Sequence, residues 1–308
     1  MKTDCLRAAC AAGLFFLICT GTAFGAAFRY EIQMMADAQT PVMNRVGYEQ
    51  IHVVRSGETL LDIARNYELG YNELALVYPD MDPWLPPRGE EIVIARTWVL
   101  PPTRYQQVVV NIPEMRLYRF FPEHKLVKTY PVGIGRQGAA TPAGDTRVVS
   151  RVKNPEWTVP KGSRQKVGRA VVPPGPDNPL GDYWIGLADG QIGIHGTNFA
   201  WGIGRRVSHG CIRMYPEHVE IFFNEVAVGD RVEILYAPVK AGIQDDKIFL
   251  EVHPDIHDII PDMHAHAEAL LRQRGLFSGI DQQRMQRVVT ARSGVPEVVG
   301  SVTDLNQP

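Results

Sequence analysis

The sequence predicts a mainly β body, a β-sandwich or partly closed barrel, preceded by a small α+β module of βααβ order. Two observations carry this. Across residues 106–236, short β-branched and aromatic runs are separated by Gly and Pro turns. Ahead of them, residues 50–96 hold two β-type runs that enclose two stretches of helical spacing. With 308 residues, 45% of them hydrophobic and 21% charged, the chain has room for two ordinary globular modules. A formal net charge of -2 and the lack of any basic run give no footing for a nucleic-acid partner.

The first 25 residues read as a secretory signal peptide. Lys2 and Arg7 precede an uncharged apolar run, and Ala23-Phe24-Gly25 ends it in a small-x-small pattern, so cleavage is expected after Gly25. The run is shorter than the ~20 apolar residues that a membrane span needs. Cys5, Cys10 and Cys19 all fall in that segment, which leaves Cys211 alone in the mature chain. A lone cysteine in an exported, oxidising compartment makes no internal disulfide and is best explained by reactivity.

In residues 50–96, Ile51-His52-Val53-Val54 alternates and Ser56-Gly57-Glu58 turns. Thr59 with Asp62 three positions on marks a helix start, and Leu60, Leu61, Ile63, Ala64 and Tyr67 form that helix's apolar face. A second helix is expected over residues 73–77, ended by Pro79, and residues 91–95 close the module as a strand. Residues 97–103, with Pro101-Pro102, read as a short, stiff linker.

The second module spans residues 104–237, with strands expected over 107–112, 116–120, 127–132 and 231–235. One helix interrupts them. Pro216 opens it, Val219, Ile221, Phe222, Phe223 and Val226 supply its apolar side, and Gly229 lies beyond its end. Gly133-Ile134-Gly135-Arg136 lacks the lysine and the following helix that a phosphate loop requires. Together with Thr141-Pro142-Ala143-Gly144 and Asn154-Pro155-Glu156-Trp157, it reads as turn structure. In the extension, residues 238–308, a strand over 247–252 and a helix over 263–274 are expected, the latter with Ala265, Ala269 and Leu270 among its less polar positions. The stretch from Ser293 onward reads as mobile.

The chemistry concentrates at Val207-Ser208-His209-Gly210-Cys211-Ile212-Arg213. A cysteine attacks as its thiolate, and its free pKa is about 8.5, so the site must supply a base or a positive charge; the sulfur is expected to be held ionised. His195, His209 and Arg213 are the candidates. Gly210 lets the backbone bend so that its N–H and that of Cys211 converge on an oxyanion. Arg213 is placed either to stabilise the thiolate or to bind a substrate carboxylate through its fork. His195, His209, Cys211 and His218 lack the paired short spacings of a zinc site.

Ser208-His209-Gly210-Cys211 with Ile212-Arg213, and Ile194-His195-Gly196-Thr197-Asn198 ahead of it, resemble the active-site signature of the YkuD-type L,D-transpeptidases of bacterial cell walls. The resemblance implies a periplasmic enzyme that acts on peptidoglycan tetrapeptide stems through a cysteine thioester. It would form 3→3 crosslinks or attach an envelope lipoprotein to the wall, with no cofactor and no metal. It implies Cys211 as nucleophile, His195, sixteen positions earlier, as base, and His209 and Gly210 at the oxyanion pocket. Arg213, Ser208, Gly196 and Thr197 would be substrate-binding, and carbapenems would acylate Cys211. Gly57-Glu58-Thr59-Leu60 and Pro83-Trp84-Leu85 resemble a LysM domain, which binds peptidoglycan glycan strands, although Glu68 and Tyr78 depart from its pattern. The alternatives are a hydrolytic L,D-carboxypeptidase using the same residues and a non-catalytic peptidoglycan-binding protein.

Overall fold

The structure, a computed structural model, describes residues 29–32, 45–187 and 192–306. The expected signal segment with Cys5, Cys10 and Cys19 lies outside the described residues, as does Gln191, at which the strand leading to His195 is expected to begin. No helix among the described residues is long and apolar enough to cross a membrane.

The amino-terminal module pairs strands Arg45–Val53 and Glu91–Val99 antiparallel around helices Leu60–Asn66 and Tyr71–Ala75. The first helix starts where a capping box forms. Thr59 Oγ1 accepts the Asp62 N–H at 3.1 Å and Asp62 accepts the Thr59 N–H at 3.0 Å. Its apolar face, Leu60, Leu61, Ile63 and Ala64, is buried. The second helix begins two residues earlier than the apolar spacing predicts, because Glu73 reaches back to take the Gly70 N–H at 2.7 Å and makes Gly70 the cap.

The body is a nine-stranded mixed sheet. Its order is Arg29–Glu31, Leu126–Pro131, Arg116–Phe121, Val108–Asn111, Arg231–Leu235, Gly144–Lys153, Tyr183–Leu187, Ile192–His195 and Ile212–Arg213. Two neighbouring pairs are parallel, Val108–Asn111 with Arg231–Leu235 and Ile192–His195 with Ile212–Arg213; the rest are antiparallel. Val108, Val110, Leu117, Ile185, Ile194 and Ile212 share one apolar cluster with Val219 and Phe222 of helix Pro216–Glu225. Strands this far apart in sheet order can meet only if the sheet curls around that helix. The fold is therefore mainly β, as expected, with the curl taking the place of a two-sheet sandwich.

Alternation along Val108–Asn111 sends Val109 to the opposite face, where it joins Tyr118, Phe120 and Val127 in a second cluster with Ile63, Leu74, Ile94 and Trp98 of the first module. The two modules thus share a core. Arg116, wholly buried, pairs with Glu73 at 2.7 Å across the same seam. The expected linker is part of this packing: strand Glu91–Val99 runs into it, and Leu100 and Thr103 are buried. Two prolines announce a stiff connection but not its burial.

The extension folds as a three-stranded antiparallel sheet, Val239–Gln244, Lys247–Val252 and Glu297–Ser301, covered by helices Met263–Gln273 and Gln282–Ala291. The mobile end expected from Ser293 is corrected here. Glu297–Ser301 pairs with Lys247–Val252 and buries Val299 completely. The apolar face of Met263–Gln273 is Met263, Ala267 and Leu271, one helical stripe over from the expected Ala265, Ala269 and Leu270.

The extension meets the body at a buried charge network. Lys240 Nζ lies 2.8 Å from both Glu114 and Glu251 and donates to the Val99 carbonyl at 2.7 Å, while His253 contacts Glu251 at 2.7 Å. Burial pushes the Glu114 carboxyl up, but Lys240 and His253 outweigh it and hold it below the ordinary carboxylate range. Glu114, Glu251 and His253 have the spacing of a metal-ligand set, yet the ammonium stands where an ion would have to sit. Lys240→Met leaves two carboxylates buried without their cation and is expected to cost about 3–5 kcal/mol in urea unfolding; a loss under about 1 kcal/mol would contradict this role.

Candidate active site

Register brings the candidate residues together. Val152 faces Trp184, Trp184 faces His195, and His195 faces Arg213, across four neighbouring strands. Because side chains alternate, this row points away from the core that Ile185, Ile194 and Ile212 enter, and Cys211, two positions before Arg213, points the same way. The row floors a cleft of about 680 Å³, which Cys211, His195, Arg213, Ser208 and His209 all line. Glu156, Trp157 and Leu180 complete its walls.

The turn that presents Cys211 depends on Gly210, whose φ of +110° a side chain would strain. Ser208 closes it: its hydroxyl donates to the Cys211 carbonyl at 2.5 Å and accepts the Gly210 N–H at 3.2 Å. On the far side, Gly133 and Arg213 exchange two backbone hydrogen bonds of 2.8 Å, and the Met214 N–H donates to the His195 carbonyl at 2.9 Å. Cys211 is partly exposed and free.

His195 is buried and stacks on Trp184, ring centroids 5.7 Å apart. Its Nδ1 lies 2.6 Å from the Gly196 carbonyl. A carbonyl only accepts, so Nδ1 carries the proton and the neutral ring keeps its lone pair on Nε2. Burial lowers the His195 pKa to about 4, with the Arg213 charge adding to the effect. Burial also pushes the Cys211 thiol up, against the opposing pull of a Gly193 backbone hydrogen bond and of Arg213. Burial thus disfavours charge on both groups, against the expectation that the flanking charges hold the sulfur ionised. Proximity in sequence to Arg213 does not offset the loss of water.

His209 is exposed, and Arg136 Nη2 donates to its Nε2 at 3.2 Å. An arginine only donates, so this bond occupies the lone pair of Nε2 and leaves the His209 proton on Nδ1. Arg213 is half-buried in the cleft, and its Nε has no hydrogen-bond partner.

Residues 105–234 match the model of the YkuD L,D-transpeptidase catalytic domain. Over 267 residues the chain is 34% identical to the probable L,D-transpeptidase YcfS of Escherichia coli K12, an overlap of 82% of this chain and 83% of the relative. The chain belongs to the YkuD L,D-transpeptidase family. The probable L,D-transpeptidases ErfK/SrfK and YbiS of the same strain are each 34% identical too, over 79% and 82% of this chain and 83% and 87% of theirs.

Within this transpeptidase the predicted residues divide. Cys211, His195, His209, Arg213 and Ser208 share the cleft, but Gly196 and Thr197, expected to bind substrate, do not line it. Gly196 accepts from His195, and Thr197 is buried with its hydroxyl taking the Phe199 N–H at 3.0 Å. The expected oxyanion pair is reduced as well, since the Gly210 N–H is already committed to Ser208 and only that of Cys211 is left. Ser208 lines the cleft while its hydroxyl is engaged in the turn, a local hydrogen-bonding role. Sequence reasoning missed Trp184 and Arg136, and it took Pro155, Glu156 and Trp157 for turn structure although they line the cleft. Trp184 was within reach of alternation along its strand; the loop residues carried no local signal.

His218, wedged between the rings of Tyr130 and Tyr215, is also lowered to about 4 by burial. Unfolded imidazoles take a proton near 6.5, so between about pH 6.5 and 4 the unfolded chain binds more protons than the fold. Stability from this source is fully present above pH 6.5 and is lost as pH falls toward 4. The thermal midpoint of the protein is expected to drop across that window and to drop less in His218→Phe; a flat profile in the unmodified protein would contradict the buried neutral state.

Proposed function

We propose that this transpeptidase works on peptidoglycan in the periplasm, cutting a tetrapeptide stem after its third, diamino-acid residue and passing the acyl group to an amine. The observation that carries the reading is the shared cleft face on which a His195 ring fixed by Gly196 stands beside the strand that begins directly after Cys211. As the Cys211 sulfur attacks the carbonyl carbon, its proton passes to His195 Nε2. The oxyanion is met by the Cys211 N–H and the His209 Nδ1–H. When the C–N bond breaks, its electron pair stays on the departing D-alanine nitrogen, which takes the proton from His195. The thioester then waits for an acceptor amine, which returns a proton through His195 to sulfur as the C–S bond breaks. Arg213, whose side chain lines the cleft, binds a substrate carboxylate. The walls contributed by Trp157, Leu180 and Trp184 keep water from competing with the amine.

The acceptor is either the diamino acid of a second stem, giving a 3→3 crosslink, or a lysine of an envelope lipoprotein. Residues 1–25 are the export signal, residues 50–96 a LysM domain that holds glycan, residues 104–237 the catalytic domain and residues 238–308 an extension with no chemistry of its own. Carbapenems, which offer an acyl carbon to the same sulfur, acylate Cys211. Mass analysis of muropeptides from walls treated with the protein tests the reading. New crosslinked dimers or protein-bound muropeptides support it. Shortened stems alone would mean that water is the acceptor and the enzyme a carboxypeptidase.

A further inference from the structure

The loop between the two active-site motifs carries Phe199 and Trp201, which are 61% and 55% exposed. Trp201 meets Phe199 edge-on at 5.8 Å and, on its other side, meets Trp84 of the first module at 5.6 Å. Trp84 is 47% exposed. Three large rings left in solvent and gathered from two modules are a costly arrangement unless something covers them.

Their relative placement is rigid. The Tyr71 N–H donates to the Ile203 carbonyl at 3.2 Å, and Tyr215 donates to the Leu69 carbonyl at 3.1 Å. Arg65 grips Glu217 through two bonds of 2.8 Å. Gly204, at φ +75°, lies so close to the first module that a Cβ would stand 2.4 Å from the Tyr71 nitrogen. The platform therefore holds a fixed position relative to the catalytic cleft, which none of its three rings lines.

The surroundings favour a sugar over a peptide. The hollow beside Trp201, shared with Leu61, Asp62, Arg65 and Tyr71, holds only about 20 Å³, too little for an apolar peptide anchor. A pyranose ring needs no pocket: it lays a flat C–H face on an aromatic ring and turns its hydroxyls outward to donors and acceptors. Each indole supplies an N–H at the ring edge, and Asp62 and Arg65 stand beside Trp201.

We propose that Trp84, Trp201 and Phe199 form a platform on which pyranose rings of a glycan strand stack, so that the catalytic module itself, and not only the amino-terminal module, holds the strand. This rests on the proposed action on peptidoglycan and adds that the strand is held in register with the stem being cut.

Binding of soluble N-acetylglucosamine oligomers and of isolated sacculi to the whole protein, followed by calorimetry and co-sedimentation, tests it. Trp201→Ala is expected to weaken both by about tenfold, Phe199→Ala to act in the same direction, and Trp201→Phe to keep most of the affinity. Equal affinity of Trp201→Ala and the unmodified protein for the oligomers would overturn the platform. Loss of sacculus binding with oligomer binding intact would overturn it as well, and would mark the rings as a peptide or protein contact. The unmodified enzyme's turnover of a sugar-free tetrapeptide with an amine is measured separately, so that failure of the proposed reaction is told apart from failure of the platform.

Discussion

Cys211→Ala is expected to abolish acyl transfer, with a fall of about 10⁴-fold or more in turnover of a tetrapeptide donor. The loss comes from chemistry and not from unfolding. The turn is held by Gly210 and by the Ser208 hydroxyl on a backbone carbonyl, neither of which needs the sulfur. The unfolding free energy should therefore stay within about 0.5 kcal/mol of the unmodified protein, as for other partly exposed substitutions that break no packing. Cys211→Ser keeps the shape but offers a far weaker nucleophile, and it should be nearly as inactive. Residual turnover close to the unmodified rate in either variant would move the reaction to another group.

His195→Gln is the second large effect, an expected fall of about 10²- to 10⁴-fold. Glutamine preserves a hydrogen bond toward the Gly196 carbonyl but cannot carry a proton between sulfur and the leaving amine. Because burial pushes the Cys211 thiol up, the variant should regain activity as pH rises, when solvent removes the proton that His195 no longer takes. His209→Gln should cost much less. His209 is exposed and its Nε2 is held by Arg136, so it is placed to donate from Nδ1 rather than to accept a proton. A pH–rate series on the two variants decides between them, and the reverse ranking would make His209 the base.

How far the sequence reaches can be seen at particular residues. The strands over 231–235 and 247–252 were placed to the residue, because each is a β-type run bounded by turn or charged residues that needs no distant partner to be recognised. Helix Tyr71–Ala75 was displaced because its start is set by a Glu73 side chain reaching backward, which apolar spacing does not register. Helix Gln282–Ala291 was missed altogether. Its buried residues are Met285, Val288 and Val289 alone, too thin a stripe to stand out before the sheet that covers it is known. The stretch from Ser293 onward looked like a loose end because it is terminal, and pairing with Lys247–Val252 gives Glu297–Ser301 its order.

The site followed the same division. The motif around Cys211 and the one around His195 were legible because each packs several chemically necessary residues into a few positions. Which way each side chain faces was not. Thr197 sits beside His195 in sequence yet does not line the cleft, whereas Trp184 and Glu156 reach it through strand pairings and a loop far along the chain. The burial that works against an ionised sulfur was hidden for a related reason: flanking charges are visible in a sequence, but desolvation is not.

Intact-mass analysis of the enzyme quenched in acid during turnover of a tetrapeptide donor bears most directly on covalent acyl transfer through Cys211. The reading predicts a species heavier by the tripeptide acyl group, with D-alanine released, mapped to the peptide that holds Cys211 and discharged when an amine is added. Turnover with no such species, or an adduct that maps to a different residue, would contradict it.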